Sequence, residues 1–409
     1  MGKFAQDRPA TVILYYVTIL LAGINRGLFI VCIAWTMLIV SDSTASVGLV
    51  FVVIHLINIF LGPVIGTIVD RIERRALVVL GQCLMVLSFS MPMVLELSGV
   101  EMSATHILVM AAITGLGSLT MAGALDAILQ HVVSTENRAR TIAFAGAIRQ
   151  LAMVLGAGLG GYVTHLFAPE WSFAFGAAIA VGVILLSVFL PSVIAGGAAL
   201  KRPSFWRGTL DGIRMMQGDK TITMLAGVTA LCFSTGQLTN VLLPGFIKFD
   251  LGAGSDLYGL ADAAWSVGGV LAALLVAQVM SVRKSAIFWP SFMTIMLGIS
   301  TVLFSMTTSL LGIVTLHAAM GACFSAGKVL ADGKVLEVCP NDYVGRVRSN
   351  QQSLISVFGV VMYLSPTLLD TSSSKLLYQI WGAVVAMIAM GTLFFSLKLA
   401  KTTPETTRA

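Results

Sequence analysis

The sequence predicts an all-α membrane protein: twelve transmembrane helices in two pseudo-symmetric six-helix bundles. Three observations carry that reading. Hydrophobic residues make up 57% of the 409, charged residues only 11%, and the mean hydropathy is +0.93, against about 25% charge in an ordinary soluble domain. The apolar residues gather into twelve stretches, each long enough for a hydrocarbon core that takes about 20 helical residues. Parts of the second half echo the first at a fixed spacing. The five cysteines, Cys32, Cys83, Cys232, Cys323 and Cys339, fall in apolar stretches without ligand spacing, so neither a disulfide framework nor a metal centre is indicated and no cofactor is expected. The net charge of +6 comes from short basic clusters between apolar segments. Orientation in a bilayer demands that pattern, so the expected partner is the lipid bilayer and not nucleic acid.

The stretches run over 11–39, 47–69, 76–95, 104–130, 141–166, 171–195, 220–247, 257–280, 285–307, 309–336, 348–369 and 376–397. The first is too long for a cleaved signal and is read as a retained helix. Counted by loop, one side collects Lys3, Arg8, Arg71, Arg74, Arg75, Arg138, Arg140, Lys201, Arg202, Arg207, Arg214 and Lys220, then Arg283, Lys284, Lys334, Arg346, Arg348, Lys398, Lys401 and Arg408; the other holds Lys248 and Lys375. The basic side is the cytoplasmic side, which places both termini there. The long connection over 196–219 divides the chain into bundles at 1–195 and 220–409. Its basic, amphipathic run through Trp206, Leu210, Ile213 and Met216 predicts a helix lying on the membrane surface.

Gly117, Ala122 and Gly123 recur as Gly321, Ala326 and Gly327, at a constant spacing of 204 residues, about half the chain. Duplication is the simplest account, with parallel repeats related across the bundle pair. At the cytoplasmic end of helix two, Gly62 and Gly66 are spaced for close approach of a neighbouring helix. Asp70 and Arg71 follow at the membrane edge, and then Arg74 and Arg75. An ordinary positive-inside loop explains the arginines but not this spacing of glycine and aspartate. The pattern resembles the signature of the major facilitator superfamily, with Glu73 where the family usually has glycine. The resemblance implies that Gly62, Gly66, Asp70, Arg71, Arg74 and Arg75 form a conformational gate that clamps the halves outward-facing. The run from Val241 to Pro244, then Leu251, Gly252, Tyr258, Gly259, Leu260, Gly268 and Gly269, is similar to the branch that contains the enterobactin exporter and macrolide efflux pumps. Gly345, Arg346 and Val347 fit the same branch. Gly156, Gly158, Gly160 and Gly161 in helix five resemble the glycine-rich element of exporters, without its usual proline. A bacterial inner membrane location follows from that resemblance.

A charge at the bilayer centre costs roughly 3 kcal/mol or more unless it faces protein, water or a partner. Within the stretches above, helices three, six, nine and twelve carry no acidic or basic residue, whereas Arg26, His55, Asp126, Arg149, Asp262, His317, Lys328 and Asp332 lie in the others. The family fold implies that every third helix faces lipid and the rest line a cavity. Arg26 falls near the midplane with no acidic residue in its own helix, which favours binding or coupling. Asp126 pairs structurally with Arg149 of the next helix, or the two exchange proton against substrate. Lys328 and Asp332 share one face, either as an ion pair anchoring helix ten near the cytoplasmic edge or as functional groups. Asp262 is the leading proton carrier of the second half. His55 and His317 are secondary, since a lone histidine in an apolar helix is more often a packing residue.

The expected function is transport. Proton coupling falls to Asp126, Asp262 and Asp332. Substrate binding falls to Arg26, Arg149, Gln237, Asn240, Trp265, Lys328 and Gln351, with Gln352 nearby. Three cations argue for an anionic or polycarboxylate cargo, and with the exporter resemblance they put a siderophore first, moved by proton antiport through a monomer. Efflux of macrolides or other amphipathic drugs, or movement of a lysophospholipid, is the competing transport reading. An enzyme is disfavoured: the sequence has no HExxH spacing, Gly-rich phosphate loop or GxSxG elbow. A sensor would add a soluble domain.

Overall fold

The computed structural model describes residues 8–69, 72–134, 137–192, 214, 217–279, 287–339, 344–369 and 373–402. Among them twelve long helices succeed one another: α1 Pro9–Ser41, α2 Thr44–Val69, α3 Arg74–Leu97, α4 Ala104–Val132, α5 Arg138–Leu166, α6 Pro169–Ser187, α7 Lys220–Gly245, α8 Ser255–Val279, α9 Phe288–Met306, α10 Leu310–Val338, α11 Val344–Leu368 and α12 Ser374–Thr402. The described residues contain no strand. Eleven of the helices are long and apolar enough to cross a membrane; α11, which opens on Arg346, Arg348, Asn350, Gln351 and Gln352, is the exception. The linker helix expected around Trp206 to Met216 lies outside the described residues, as do Asp70 and Arg71.

Local chemistry sets the ends. Pro9 opens α1, where its missing N–H costs nothing, and Asp42 closes it in the left-handed region at φ 49°, its amide donating to the Leu38 carbonyl. Ser103 and His106 form a reciprocal capping box on α4. The Asp219 carboxylate accepts from the amides of Thr221 and Ile222 at the start of α7. Beyond Pro244, α7 widens into a π-helical turn, Phe246–Asp250, so the element runs a few residues past the expected end.

The chain forms two compact units: Met1–Ala198 with Leu243–Ser266, and Ala199–Leu242 with Val267–Ala409. In the first, α1 is the central helix, buried from Leu28 to Leu38 save Ile30 and packed on α2, α4, α5 and α6. Its tightest partner is α5. Side chains added at Gly156 or Gly160 would run into the backbone of Ile24, Gly27 and Leu28. Gly161, on the opposite side of α5, meets Gly259 of α8 equally closely. The glycine-rich element of α5 thus clears two neighbours at once, a use that small residues serve in bilayers, where apolar burial gives helices no net pull on one another. Phe29, Phe89 and Phe173 knit α1, α3 and α6, with the first two rings stacked at 5.1 Å.

The second unit is organised on α9, which packs on α10 and α12. Gly298 and Gly382 bring α9 and α12 to backbone contact. The buried Cys232 thiol and Thr294 hydroxyl meet at 2.9 Å, tying α7 to α9. Exposed apolar stripes mark the lipid face: Leu80, Leu87 and Val94 recur every seven residues on α3, and Met387, Met390 and Phe394 run along α12. The charged residues in these helices, Arg74, Arg75 and Glu96 on α3 and Lys375, Lys398 and Lys401 on α12, fall at their ends, where long side chains can reach polar surroundings.

Candidate functional site

Three of the residues singled out from the sequence come together inside the first unit. Arg26 of α1, Asp126 of α4 and Arg149 of α5 line a cavity of about 310 Å³ whose remaining walls are apolar, among them Ile19, Leu125 and Met153. The close passage of α1 over α5 places them: a side chain at Gly23 would meet Ala152 and the Arg149 carbonyl, so the two arginines rise from helices that nearly touch. Arg26 stands near the middle of the 33-residue α1. Arg149 Nη2 donates to Asp126 Oδ1 and also to the Tyr15 hydroxyl at 3.2 Å. The Asp126 and Arg149 side chains remain 58% and 44% exposed, which leaves the pair accessible from the cavity, while Tyr15 is fully buried. One guanidinium therefore has a fixed partner behind it and a replaceable one in front.

Asp262 lies two turns into α8, half-buried, and makes no hydrogen bond or ion pair among the described residues. Tyr258, one turn before it, stacks on Trp35 of α1 at 5.9 Å and 21°, and Trp265 follows one turn after. Neither Asp262 nor Trp265 lines the arginine cavity. At the far end of the same unit, Lys248 bonds Asp42 at 2.8 Å, and His165 faces Asp256 at 3.5 Å, joining the ends of α1 and α5 to the turn between α7 and α8.

The second unit holds Gln237, Asn240, Lys328, Asp332 and Gln351. The Lys328 ammonium is 3.9 Å from Asp332 and 5.3 Å from the centroid of the Phe233 ring, over its face. α10 continues to Val338, which leaves Lys328 roughly 15 Å from that end at 1.5 Å per residue. Gln237 is buried with its Oε1 unbonded against Gly359, and Gln351 is buried with an unbonded Nε2. Asn240 is half-buried three residues beyond Gln237 on α7.

Of the gate residues, Arg74 donates to the Ala127 carbonyl at 3.0 Å, and Arg75 donates to the Val188 carbonyl at 3.2 Å and pairs with Glu73. At Gly62 an added side chain would meet nothing within 4 Å among the described residues. The glycine that brings α2 and α4 together is on the other helix, Gly115, against Ile54 and Ile57. The Gly66 side of α2, like Asp70 and Arg71, lies outside the described side chains. Sequence reasoning missed Tyr15 and Phe233. An aromatic in an apolar run carries no spacing signal, and the partners are far apart in the chain.

The family model of the major facilitator superfamily matches residues 15–362. The chain belongs to that superfamily. As a major facilitator it is a multi-pass membrane transporter, and its twelve helices have the superfamily's fold. Among solved structures it is similar to a point mutant of the nucleoside transporter NupG (TM-score 0.73, 11% identity, 93% of this chain and 99% of that one). It is also similar to a bacterial homologue of the human lysosomal transporter Spinster, captured inward-facing and unoccupied (TM-score 0.72, 13% identity, 97% and 98%). NupG itself gives a TM-score of 0.69 at 13% identity, over 96% and 100%. At these identities the likeness is one of fold. A comparison with curated proteins finds no match.

Proposed function

We propose that this major facilitator is a proton-coupled exporter of a small anionic or amphipathic molecule, with a siderophore as the first candidate. The observation that carries the reading is the cavity with two arginines against one carboxylate. Charged groups at such depth are retained for binding or coupling rather than stability. A carboxylate in a low-dielectric site holds its proton more tightly, and an approaching arginine loosens it. Arg149 can serve both partners in turn. While paired it engages Asp126; when an anionic cargo takes the guanidinium, the carboxylate is freed for proton carriage. Tyr15 holds Arg149 in place during that exchange. Arg26 and Lys328 supply further positive charge for the cargo, and Gln237, Asn240, Trp265 and Gln351 offer hydrogen bonds and stacking. Asp262 and Asp332 are the other candidate proton carriers.

In this reading the chain works as a monomer in a bacterial inner membrane. Both termini are cytoplasmic, two six-helix bundles are joined by the linker over 196–219, and Gly62, Gly66, Asp70, Arg71, Arg74 and Arg75 gate the transition. Asp262 supports a second reading, efflux of zwitterionic or amphipathic drugs or movement of a lysophospholipid, because an unpaired carboxylate between aromatic residues suits an ammonium group. The test is efflux from cells with and without the gene, under iron limitation and against a drug panel, followed by proton-driven flux in everted vesicles. Loss of proton-driven flux in Asp126→Asn, with folding kept, supports the coupling scheme; full flux in both Asp126→Asn and Asp262→Asn overturns it.

A further inference from the structure

We infer that His165 and Asp256 form a pH-sensitive latch, which fastens α8 to α5 at the end of the first unit where α7 turns into α8. The latch regulates opening of that end and needs neither Arg149 nor Asp126, so it goes beyond the coupling scheme above.

The segment 243–266 is the part of the chain's second half that belongs to the first unit, and contacts at this end tie it there. Gly161 of α5 meets Gly259 of α8 backbone to backbone. Lys248, on the π-helical turn, donates to Asp42 at the end of α1 at 2.8 Å and lies over the Phe249 ring at 4.9 Å. His165, one turn after Gly161, faces Asp256, one turn before Gly259, at 3.5 Å. The two make no hydrogen bond among the described residues, so charge is what draws them together. Their side chains are 49% and 51% exposed, within reach of protons from solvent. The turn is shaped for the meeting: a Cβ at Gly254 would sit 2.7 Å from Asp256 Oδ1 and 3.2 Å from His165 Nδ1.

The elements around His165 bring Asp42 at the end of α1, Glu170 in the first turn of α6, Lys248 and Asp250 on the π-helical turn, and Asp256 on α8. Carboxylates and amines keep their charge between about pH 5 and 8, whereas histidine is the side chain that changes its own over that span. In acid the imidazolium is drawn to the Asp256 carboxylate and the latch holds. As pH rises the proton leaves and that attraction is lost, while the pair of Lys248 with Asp42 remains. The fold thus closes one end with two pairs, one indifferent to pH and one governed by it. In the orientation proposed above, this end faces outside, on the acid side of the proton gradient. Acid there holds the end shut once cargo has left and biases the empty carrier toward the cytoplasmic face.

The experiment is thiol labelling of the purified full chain in nanodiscs. Ser255, at the start of α8, is 2% exposed, so a cysteine introduced by Ser255→Cys reacts with a charged methanethiosulfonate when this end opens. Labelling of the chain without Ser255→Cys is subtracted. Rates for Ser255→Cys with and without His165→Gln are compared at each pH, so the pH dependence of the thiol chemistry cancels. The rate with His165→Gln divided by the rate without it is expected to be about one at about pH 8 and about two to five at about pH 5.5, the span that an exposed ion pair commands. Asp256→Asn should act as His165→Gln does, with no further gain when the two are combined. His165→Arg keeps its charge at every pH, so it should label more slowly than His165→Gln by the same factor at both ends of the range. A ratio that does not change with pH overturns the proposal, as does a pH response that survives in Asp256→Asn. A monodisperse peak by size-exclusion confirms that each variant is folded.

Discussion

Replacing Gly156 by alanine should loosen the unit that holds the arginine cavity, and the same change at Gly146 on the same helix should not. A Cβ at Gly156 would sit 3.0 Å from the Gly27 Cα and closer still to the Ile24 carbonyl, all backbone, whereas one at Gly146 meets nothing within 4 Å. Backbone cannot rotate away as a side chain can, so α1 and α5 must part by roughly 1 Å, a gap that forfeits a quarter to a half of each dispersion contact along the seam. Overpacking of this kind costs about 1–3 kcal/mol. The gain in helix propensity from glycine to alanine, about 1 kcal/mol, is common to both variants and cancels in the comparison. At about 2–4 °C per kcal/mol for a unit of some 200 residues, the two melting temperatures should differ by several degrees. Thermal denaturation in detergent, followed by size-exclusion, reads this directly. Because Gly23, Arg26, Arg149 and Met153 line the cavity on the same two helices, the Gly156 variant should also bind cargo more weakly. Equal melting temperatures for Gly156→Ala and Gly146→Ala would refute the backbone-contact account.

Three further outcomes are expected. Tyr15→Phe removes one acceptor from Arg149 but leaves the Asp126 contact, so it should cost about 1 kcal/mol and shift the pH profile of transport, read in vesicles, more than it shifts the melting temperature. Asp42 carries φ 49° and pairs with Lys248 at a site where its own side chain is 77% exposed. Asp42→Gly, which gains about 1 kcal/mol of backbone relief and loses an ion pair worth about 0–1, should therefore melt within about 2 °C of the parent, while Asp42→Val should melt clearly lower. Ser103→Ala deletes the capping box of α4 and should destabilise by about 0.5–2 kcal/mol, measured by the same melt.

The helices were legible because a bilayer imposes a length, and apolar runs of that length have few other uses. Their ends were less so. The seventh stretch was expected to stop at 247, yet beyond Pro244 the helix widens into a π-helical turn that reaches Asp250. The contact of Asp126 with Arg149 could be anticipated because consecutive antiparallel helices set both at similar depth. Tyr15 could not: its link to Arg149 spans 134 residues, and a tyrosine among Leu and Ile looks like any packing aromatic. Phe233 escaped notice for the same reason. The glycines of α5 were read through a family resemblance, but their physical meaning, two neighbours served from two sides of one helix, emerges only when α1 and α8 are in place.

The polarity of α11 has a consequence for how the chain is made. A segment opening on two arginines and five amide or hydroxyl residues, Ser349, Asn350, Gln351, Gln352 and Ser353, gains too little from hydrocarbon to leave the insertion channel unaided. It has to be drawn in by the next helix, entering as a pair with the far more apolar α12. A nascent chain cut short before residue 374 should then strand its last segment at the interface, so the closing helix acts during synthesis as an escort as well as a wall.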